Sequence, residues 1–367
     1  MTAGFQNILI VGIGLIGGSL AGALKKLDPA LRVYGAGSSE ETLRIAREAG
    51  LIEQENPPAY KDIDLVVLAS PINSFESWFK TLAENGYEGV VTDTASAKLP
   101  VVRAAAKTLK NPGCFIPGHP MAGREKSGVL AAKDDLFEGA YWLLTPGEAA
   151  DMHVYRRLHT LLTAIGARVL SVDAAEHDKL VAVISHVPHV AASSLVMLAA
   201  AHSGANGELF RLAAGGFKDT TRVAAGDPAL WTGILCSNAD MIAAELKEYA
   251  DIISRFAGRI GERDGAEVER MLAGAAAARK SIPAKWVPET GALIEITVLM
   301  DNRPGVIAAI TEAAGRSGCN IQAIDIEHQT ERRAALRLIL TDEGDVAGLM
   351  AALEALGFEA QSERRTD

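Results

Sequence analysis

The first half of the chain alternates short runs of consecutive apolar residues with longer stretches in which apolar residues recur at helical spacing. The apolar runs predict strands at residues 7–11, 31–35, 64–69, 89–93, 115–117, 141–145 and 168–172. Residues 15–27, directly after the first run, predict a helix. Strands that alternate with helices indicate an α/β fold with a mainly parallel, doubly wound sheet of the Rossmann type. We assign residues 1–171 to this domain.

The middle of the chain contains no strand pattern. Residues 178–201 are apolar on nearly every helical face, which predicts a buried helix, with burial between two subunits as one arrangement. Its uninterrupted apolar part, residues 190–201, is shorter than the roughly 20 residues that cross a bilayer. We therefore expect an all-helical domain at residues 172–288 that carries the substrate site and forms a homodimer, with no membrane contact.

The carboxyl-terminal part returns to a mixed pattern after a boundary at residues 282–290, where Pro283 and Pro288 interrupt regular structure. Strands are predicted at 294–298, 320–328, 334–340 and 358–361, and helices at 306–317 and 346–356. The order β-α-β-β-α-β is that of a ferredoxin-like unit. We assign residues 289–367 to this third domain.

The charge balance restricts the partners of the protein. The formal net charge is −10, which argues against nucleic acid or an anionic membrane surface as a partner. An anionic substrate would then need a local cluster of cationic side chains. The three cysteines, Cys114, Cys236 and Cys319, are too widely spaced for a zinc motif or a disulfide framework. We therefore expect no metal. With no signal segment before the first strand, we expect a cytoplasmic protein.

The turn Gly12-Ile13-Gly14-Leu15-Ile16-Gly17 follows a predicted strand and opens a predicted helix. This context turns a weak G-x-G-x-x-G pattern into a dinucleotide-binding turn, with the pyrophosphate at the helix amino terminus. The acid that usually binds the ribose after the second strand is missing, and Gly37, Ser38 and Ser39 stand in its place. NAD and NADP both remain open as cofactors. The two serines could instead only cap the next helix, where Glu41 has capping-box spacing from Ser38.

His119 is the candidate base. Pro120 biases it away from helix, which predicts a loop histidine facing a cleft, where it could take a proton from an alcohol while hydride leaves. Ser96 follows the strand ending at Asp93, at the edge of the sheet where ligands bind. It could orient His119 or bind a substrate hydroxyl, or it could cap the helix that begins at Leu99. A purely structural loop histidine is the alternative reading of His119.

The helical domain offers further polar candidates. Lys218 and Arg222 follow a hinge at Gly215 and form a candidate anion clamp, against the alternative of a solvated helix start. On a straight helix His177 would lie about 18 Å from His189, too far for one small ligand unless Pro188 bends the helix. We expect His186 to be a hydrogen-bonded core residue. Trp231 either covers the same pocket or fills the core.

Taken in order, these motifs resemble the prephenate and arogenate dehydrogenases of tyrosine biosynthesis, over about the first 285 residues. The resemblance rests on motifs spread along two domains: Gly12-x-Gly14-x-x-Gly17, Ser70-Pro71, Asp93-x-x-Ser96-x-Lys98, His119-Pro120-Met121-Ala122-Gly123, His177-Asp178, Ser185-His186-x-Pro188-His189 and Phe217-x-Asp219-x-Thr221-Arg222. The third domain resembles an ACT domain, a small-molecule regulatory module. Ala95 departs from the family pattern, which more often has glycine there.

The resemblance implies a role for each matched residue. His119 would accept the hydrogen bond of the prephenate ring hydroxyl with support from Ser96, and Arg222 would bind a substrate carboxylate beside Lys218. His177, His189, Gly215 and Trp231 would line or shape the pocket, with an acidic site at Glu125. The cofactor would contact the glycine turn, Ser38, Ser39, Ser70, Pro71 and Asp93. An effector would bind the turn Asp301-Asn302-Arg303-Pro304-Gly305, through Asp301, Asn302, Pro304 and Gly305.

The implied activity is the oxidative decarboxylation of prephenate to 4-hydroxyphenylpyruvate with NAD or NADP, under feedback by an aromatic amino acid, tyrosine ahead of phenylalanine. Arogenate is the alternative substrate. Two rival classes are a 3-hydroxyacid dehydrogenase, which would lead us to expect a catalytic lysine in the helical domain, and a non-catalytic amino-acid sensor. The presence of His119, Ser96 and Arg222 together disfavours both.

Overall fold

The computed structural model describes residues 2–54, 57–123, 128–203, 208–280, 293–328, 333–341 and 344–365. Contacts within the chain divide it into two units, Met1–Gly265 and Ala266–Asp367. The predicted boundary at residues 282–290 lies outside the described residues. The exact limits of the three expected domains therefore remain a prediction.

A five-stranded parallel sheet forms the centre of the first unit. Its strands are β1 (Asn7–Val11), β2 (Arg32–Ala36), β3 (Leu65–Leu68), β4 (Val90–Asp93) and β5 (Phe115–Ile116), in the order β2-β1-β3-β4-β5. The connecting helices are α1 (Leu15–Leu27), α2 (Glu40–Glu48), α3 (Phe75–Glu84) and α4 (Leu99–Thr108).

Both faces of this sheet are covered. Ile8 and Ile10 of β1 lie in one buried cluster with Leu24 of α1. Leu9 lies between them in sequence and belongs to a second cluster, with Phe79 of α3. Because successive strand residues point to opposite faces, this alternation places helices on both sides of the sheet. The predicted doubly wound Rossmann fold is confirmed.

The chain then starts a second sheet instead of extending the first. Strands β6 (Gly118–Pro120), β7 (Tyr141–Leu144) and β8 (Arg168–Ser171) form it, with α5 (Met152–Ala164) between the last two. β6 runs antiparallel to β7. The expected single strand at 115–117 is wrong at its end, because Pro117 has no N–H for the ladder and its carbonyl accepts from Thr145 N at 2.9 Å. His119 consequently lies on a short strand and not on a loop.

Helices make up the described chain from residue 174 to residue 280. They are α6 (Ala174–Val181), α7 (Val187–His202), α8 (Glu208–Arg211), α9 (Gly215–Thr221), α10 (Pro228–Ser237), α11 (Ala239–Gly261) and α12 (Gly265–Lys280). A π-helical turn, Ala182–His186, joins α6 to α7 in one continuous helix. Val187 follows the last residue of this turn, His186, and Pro188 comes next; because Pro188 lacks an N–H, the wider π-helical turn accommodates it.

The helix Ala174–His202 is less buried within one chain than its composition suggests. Ile184, Met197 and Leu198 are 62%, 71% and 59% exposed. By length and composition alone the helix could cross a membrane, and it is the only such helix among the described residues. It also carries His177 and Asp178, both fully buried against the polar site. This pattern is that of a helix with one site-facing side and one uncovered apolar side.

The second unit ends in the predicted β-α-β-β-α-β order. Its elements are β9 (Leu293–Asp301), α13 (Val306–Arg316), β10 (Ile321–His328), β11 (Arg333–Thr341), α14 (Val346–Ala355) and β12 (Glu359–Arg365). The four strands are antiparallel in the order β10-β11-β9-β12. Ile296 and Val298 share a core with Ile310 and Leu349 of the helices. Gly305, at φ +88°, ends the exposed turn that precedes α13.

Candidate active site

The glycine turn after β1 has the geometry that a dinucleotide needs. Gly12 adopts φ +92°, and a Cβ there would lie 2.6 Å from Ser70 N. A Cβ on Gly17 would lie 2.0 Å from the Gly12 carbonyl oxygen. Gly14, the N-cap of α1, has nothing within 4 Å of its Cβ position. Gly12 and Gly17 are thus required by packing, whereas Gly14 leaves open the approach of a pyrophosphate to the helix amino terminus.

The region after β2 differs from the expected capping box. Ser39, and not Ser38, is the N-cap of α2, and its hydroxyl accepts from Thr42 N at 3.2 Å. The Glu41 side chain turns instead to Arg44, the nearest cation in sequence, which also binds Glu48. These two carboxylates raise the pKa of the Arg44 guanidinium. The first cation that follows Ser38 and Ser39 in sequence is therefore already paired with two carboxylates.

The helical region meets the sheet at the end of β3. The Ser70 hydroxyl lies 2.7 Å from that of Ser74, in the turn Ile72–Ser74 that follows Pro71. Helix α10 contacts this same turn. The helical region thus packs against the carboxyl edge of the sheet at the turn that follows β3.

A fully buried ion pair lies at the carboxyl end of β4. The Lys98 ammonium donates to the Asp93 carboxylate and to the Gly118 carbonyl, and the carboxylate also accepts from Ala95 N at 2.8 Å and Gly118 N at 3.3 Å. Burial raises the pKa of Asp93 and lowers that of Lys98, while their mutual attraction opposes both shifts. The Asp93 carboxylate is thus already hydrogen-bonded within the protein. Only the main chain of Asp93 remains for the cofactor contact that the sequence predicts.

His119 lies at the end of a row of three buried side chains. Its Nδ1 is 2.9 Å from His177 Nε2, and His177 Nδ1 is 2.8 Å from Asp178 Oδ1. His119 is 9% exposed and the other two side chains are fully buried. Burial first, and then the positive charge on Lys98, lower the pKa of His119 well below 6.5. Its imidazole is therefore neutral at physiological pH, the form a general base requires.

Sequence reasoning missed two members of this arrangement, Asp178 and Lys98. Both stood in quoted motifs, but neither had an assigned role. The signal available was a charged residue inside an otherwise apolar segment, since Asp and Lys are almost never fully buried unless they are paired. However, Asp178 accepts its hydrogen bond from the main chain of Lys98, which lies 80 residues away in sequence.

Ser96 is half-buried near the end of β4, and its capping role is not realised. Helix α4 begins at Leu99 without a side-chain cap from its own segment. Asp178 supplies that cap from α6, accepting from Lys98 N at 2.6 Å and Leu99 N at 2.8 Å. Within the described residues the Ser96 hydroxyl makes no hydrogen bond, to His119 or to any other group.

Two more histidines, His186 and His189, lie on the helix Ala174–His202 that also carries His177. His189 stacks on Trp231 with ring centroids 3.5 Å apart. Its Nδ1 and the Nε2 of His186 are buried without a partner in the described part of the chain. The expectation of a well-bonded His186 is only weakly met, by an Asn238 amide at 3.4 Å. Burial lowers the pKa of His186 to about 4 and also lowers the pKa of His189, so both rings are neutral.

The candidate anion clamp lies at the solvent side of this cluster. Helix α9, which begins at Gly215, and the turn Arg222–Ala225 both pack against α7, the helix of His189. Lys218 and Arg222 are exposed, and Trp231 is half-buried. Glu125 lies outside the described residues. Among the described residues, no group of three His, Cys, Asp or Glu side chains is arranged to hold a metal ion.

A dinucleotide-type sheet, with a buried neutral imidazole where its carboxyl edge meets a helical region, defines a nicotinamide-dependent dehydrogenase. Three family models match the chain: the prephenate dehydrogenase nucleotide-binding domain at residues 20–171, its dimerization domain at 173–274, and the ACT domain at 294–358. A prephenate dehydrogenase of Bacillus subtilis is 34% identical over 356 residues, which are 95% of this chain and 96% of the relative. The chain belongs to the prephenate dehydrogenase family.

Solved structures agree with this assignment. Prephenate dehydrogenase from A. aeolicus, in complex with hydroxyphenyl propionate and NAD+, has a TM-score of 0.71 and 30% identity, covering 76% of this chain and 98% of that one. Arogenate dehydrogenase from Synechocystis has a TM-score of 0.65 and 28% identity, covering 76% and 100%. The likeness therefore extends over the nucleotide-binding and helical regions.

The three glycines of the turn predict two separable phenotypes. Gly12→Ala should destabilise the cofactor-free protein by about 1–3 kcal/mol or more, because alanine is strained at positive φ and its Cβ would meet Ser70. Gly14→Ala should keep the wild-type melting temperature and weaken NAD binding, since its Cβ enters only open space. Thermal denaturation and cofactor titration of both variants would check this, and a Gly12→Ala protein as stable as wild type would contradict it.

Proposed function

We propose that the protein oxidises prephenate to 4-hydroxyphenylpyruvate and carbon dioxide with NAD as the acceptor. The observation that carries the proposal is His119, buried and neutral beside the carboxyl end of β4 in a dinucleotide-type sheet. The relatives named prephenate dehydrogenase support this substrate, and the arogenate dehydrogenase neighbour keeps arogenate as the alternative. The two substrates differ only by a keto or an amino group on the side chain.

The chemistry asked of this chain is a proton transfer and the positioning of charge. NAD+ bound on the glycine turn would accept the hydride from the carbinol carbon of the ring. His119 takes the hydroxyl proton through Nε2, the nitrogen that does not face His177. Loss of the ring carboxylate as carbon dioxide makes the ring aromatic, and His119 returns the proton to the ring oxygen. General-base assistance of this kind contributes about 10²–10⁴-fold.

The substrate is a dianion, and the protein carries a net charge of −10, so local cations must bind it. We assign one carboxylate to Arg222, whose planar fork suits it, with Lys218 nearby. His177, His189, Gly215 and Trp231 shape the pocket, Ser96 supports the hydroxyl, and Glu125 supplies an acidic group. The pairing of Arg44 with Glu41 and Glu48 favours NAD over NADP, because a 2′-phosphate would find no uncommitted charge on that guanidinium.

The test is steady-state kinetics with prephenate and arogenate, each against NAD and NADP, on the wild type and three variants. His119→Asn should lower kcat by on the order of 10²–10⁴-fold with little change in KM. Arg222→Ala should mainly raise KM, and Arg222→Lys should recover only part of the loss.

The pH profile gives an independent check on the same base. Because the pKa of His119 is lowered, kcat/KM should stay level through neutral pH and fall only as the pH drops below the usual value of 6.5. Near wild-type turnover in His119→Asn would remove this residue from the mechanism. Lost stability with unchanged kinetics in Arg222→Ala would make that residue structural.

The dimerization domain matched by the family model exposes apolar side chains on one of its helices. We propose that two copies pair through the uncovered side of the helix Ala174–His202, where Ile184, Met197 and Leu198 are exposed. A soluble, cytoplasmic homodimer would cover these side chains and remove the need for a membrane. Exposed apolar surface of this extent on one helix is typical of an interface.

Light scattering should show a dimer at micromolar concentration for the wild type. Met197→Arg should shift the population toward monomer, because a charge would be buried in the interface. Leu130→Arg is the matched control, since Leu130 is equally apolar and 85% exposed but lies in the nucleotide-binding region. A wild-type monomer under these conditions would rule out the proposal.

We also propose that the ACT domain binds an aromatic amino acid and feeds back on the reaction. The exposed turn Asp301-Asn302-Arg303-Pro304-Gly305 precedes α13, so main-chain amides at the helix start lie beside polar side chains that suit an ammonium and a carboxylate. Tyrosine is the first choice, as the end product of the pathway, and phenylalanine the second. Oligomerisation alone is the other role open to this domain.

Tyrosine should inhibit the full-length enzyme, with a coupling of about 1–3 kcal/mol, or roughly 5–150-fold in apparent affinity. Asn302→Ala should reduce this inhibition while leaving kcat without tyrosine unchanged. Glu354→Ala, an exposed change on α14, is the control and should remain inhibited. If neither tyrosine nor phenylalanine at millimolar concentration alters kinetics or melting temperature, the regulatory proposal fails for both amino acids.

A further inference from the structure

We propose that His177 and Asp178 are positioning residues that hold His119 in one tautomer, with the proton on Nδ1 and a free lone pair on Nε2. The catalytic consequence rests on the proposed function, because it makes Nε2 the acceptor of the substrate proton. The tautomer itself follows from the hydrogen bonds within the protein. It is therefore measurable without any substrate.

The argument starts at the carboxylate of Asp178. Oδ1 accepts from Lys98 N at 2.6 Å, and Oδ2 accepts from Leu99 N at 2.8 Å. Two main-chain amides thus fix the carboxylate in place at the start of α4. An ionised carboxylate only accepts hydrogen bonds, so the contact of 2.8 Å between Oδ1 and His177 Nδ1 requires the proton on that nitrogen.

The tautomer of His177 then determines that of His119. A neutral imidazole with its proton on Nδ1 has only a lone pair on Nε2. We take His177 to be neutral; its Nε2 lies 2.9 Å from His119 Nδ1, so His119 then donates and carries its own proton on Nδ1. In the opposite tautomer two lone pairs would face each other at this distance, in a pair where His177 is fully buried and His119 is 9% exposed. A buried acceptor without a donor costs about 1–3 kcal/mol.

The surroundings also keep His119 from becoming charged. Burial first, and then the positive charge on Lys98, lower the pKa of His119, so a second proton on this ring is disfavoured in the free enzyme. His119 therefore presents a single arrangement, neutral and with Nε2 unprotonated. This is the logic by which a buried carboxylate fixes the tautomer of a catalytic histidine in hydrolytic triads, extended here through a second imidazole.

The direct test is ¹⁵N NMR of the histidine rings in the full-length protein, with and without NAD, at neutral pH. Tautomers differ clearly in their ring nitrogen shifts, and the His119 signals are identified by their loss in His119→Asn. We expect wild-type His119 to be protonated on Nδ1. Protonation of wild-type His119 on Nε2, or a mixture of both tautomers, would overturn the proposal.

Two substitutions of His177 separate positioning from packing. His177→Leu removes the acceptor for His119 Nδ1, which should release the tautomer and lower kcat by on the order of 10²–10⁴-fold, with KM changed far less. In His177→Gln the amide oxygen can take the place of Nε2 while the amide N–H donates to Asp178. This variant should restore the Nδ1 tautomer and at least tenfold of the lost kcat, on the order of the energy of one hydrogen bond.

Asp173→Asn serves as the matched control. Asp173 is the exposed N-cap of α6, the same helix, and asparagine preserves capping. Its tautomer spectrum and kcat should equal those of the wild type. A His177→Leu enzyme with wild-type kcat and tautomer would refute the proposal.

The outcome also distinguishes failure of this inference from failure of the proposed function. A wild-type protein with the expected tautomer but no turnover of prephenate or arogenate would refute only the function.

Discussion

The carboxylate of Asp178 is the contact on which the geometry of the site depends. It lies on the first helix of the helical region, caps the helix that follows β4, and binds the ring that supports His119. A buried carboxylate is costly unless its lone pairs are satisfied, and here three donors satisfy it. The helical region and the nucleotide-binding sheet are consequently held in register at the point where substrate and cofactor must meet.

The Lys98–Asp93 pair complements this contact from the other side. It ties the end of β4 to Gly118, the residue before His119, and places a cation close enough to disfavour protonation of the base. Burial and this cation act in the same direction. The packing around His119 thus keeps its imidazole neutral at physiological pH, at the cost of burying two charges.

The helix Ala174–His202 has two sides with different surroundings, one buried against the site and one exposed. Toward the site it carries His177, Asp178, His186 and His189, and the π-helical turn allows these polar groups to coexist with Pro188. Away from the site its apolar side chains are uncovered in a single chain. One helix thus combines a polar side that faces the site with an apolar side that a single chain leaves uncovered.

The sequence by itself determined the elements that depend on local pattern. Alternating apolar runs located nearly every strand, the glycine turn and β6 histidine indicated a dehydrogenase, and the ferredoxin-like order was readable from spacing alone. Only the tertiary structure decided the break after β5, the capping of α4 by a residue 79 positions away from Leu99, and the partners of Lys98 and His119. These features arise from contacts between distant segments. Periodicity reports which face of an element is buried, but it carries no information about which buried polar group will meet which partner.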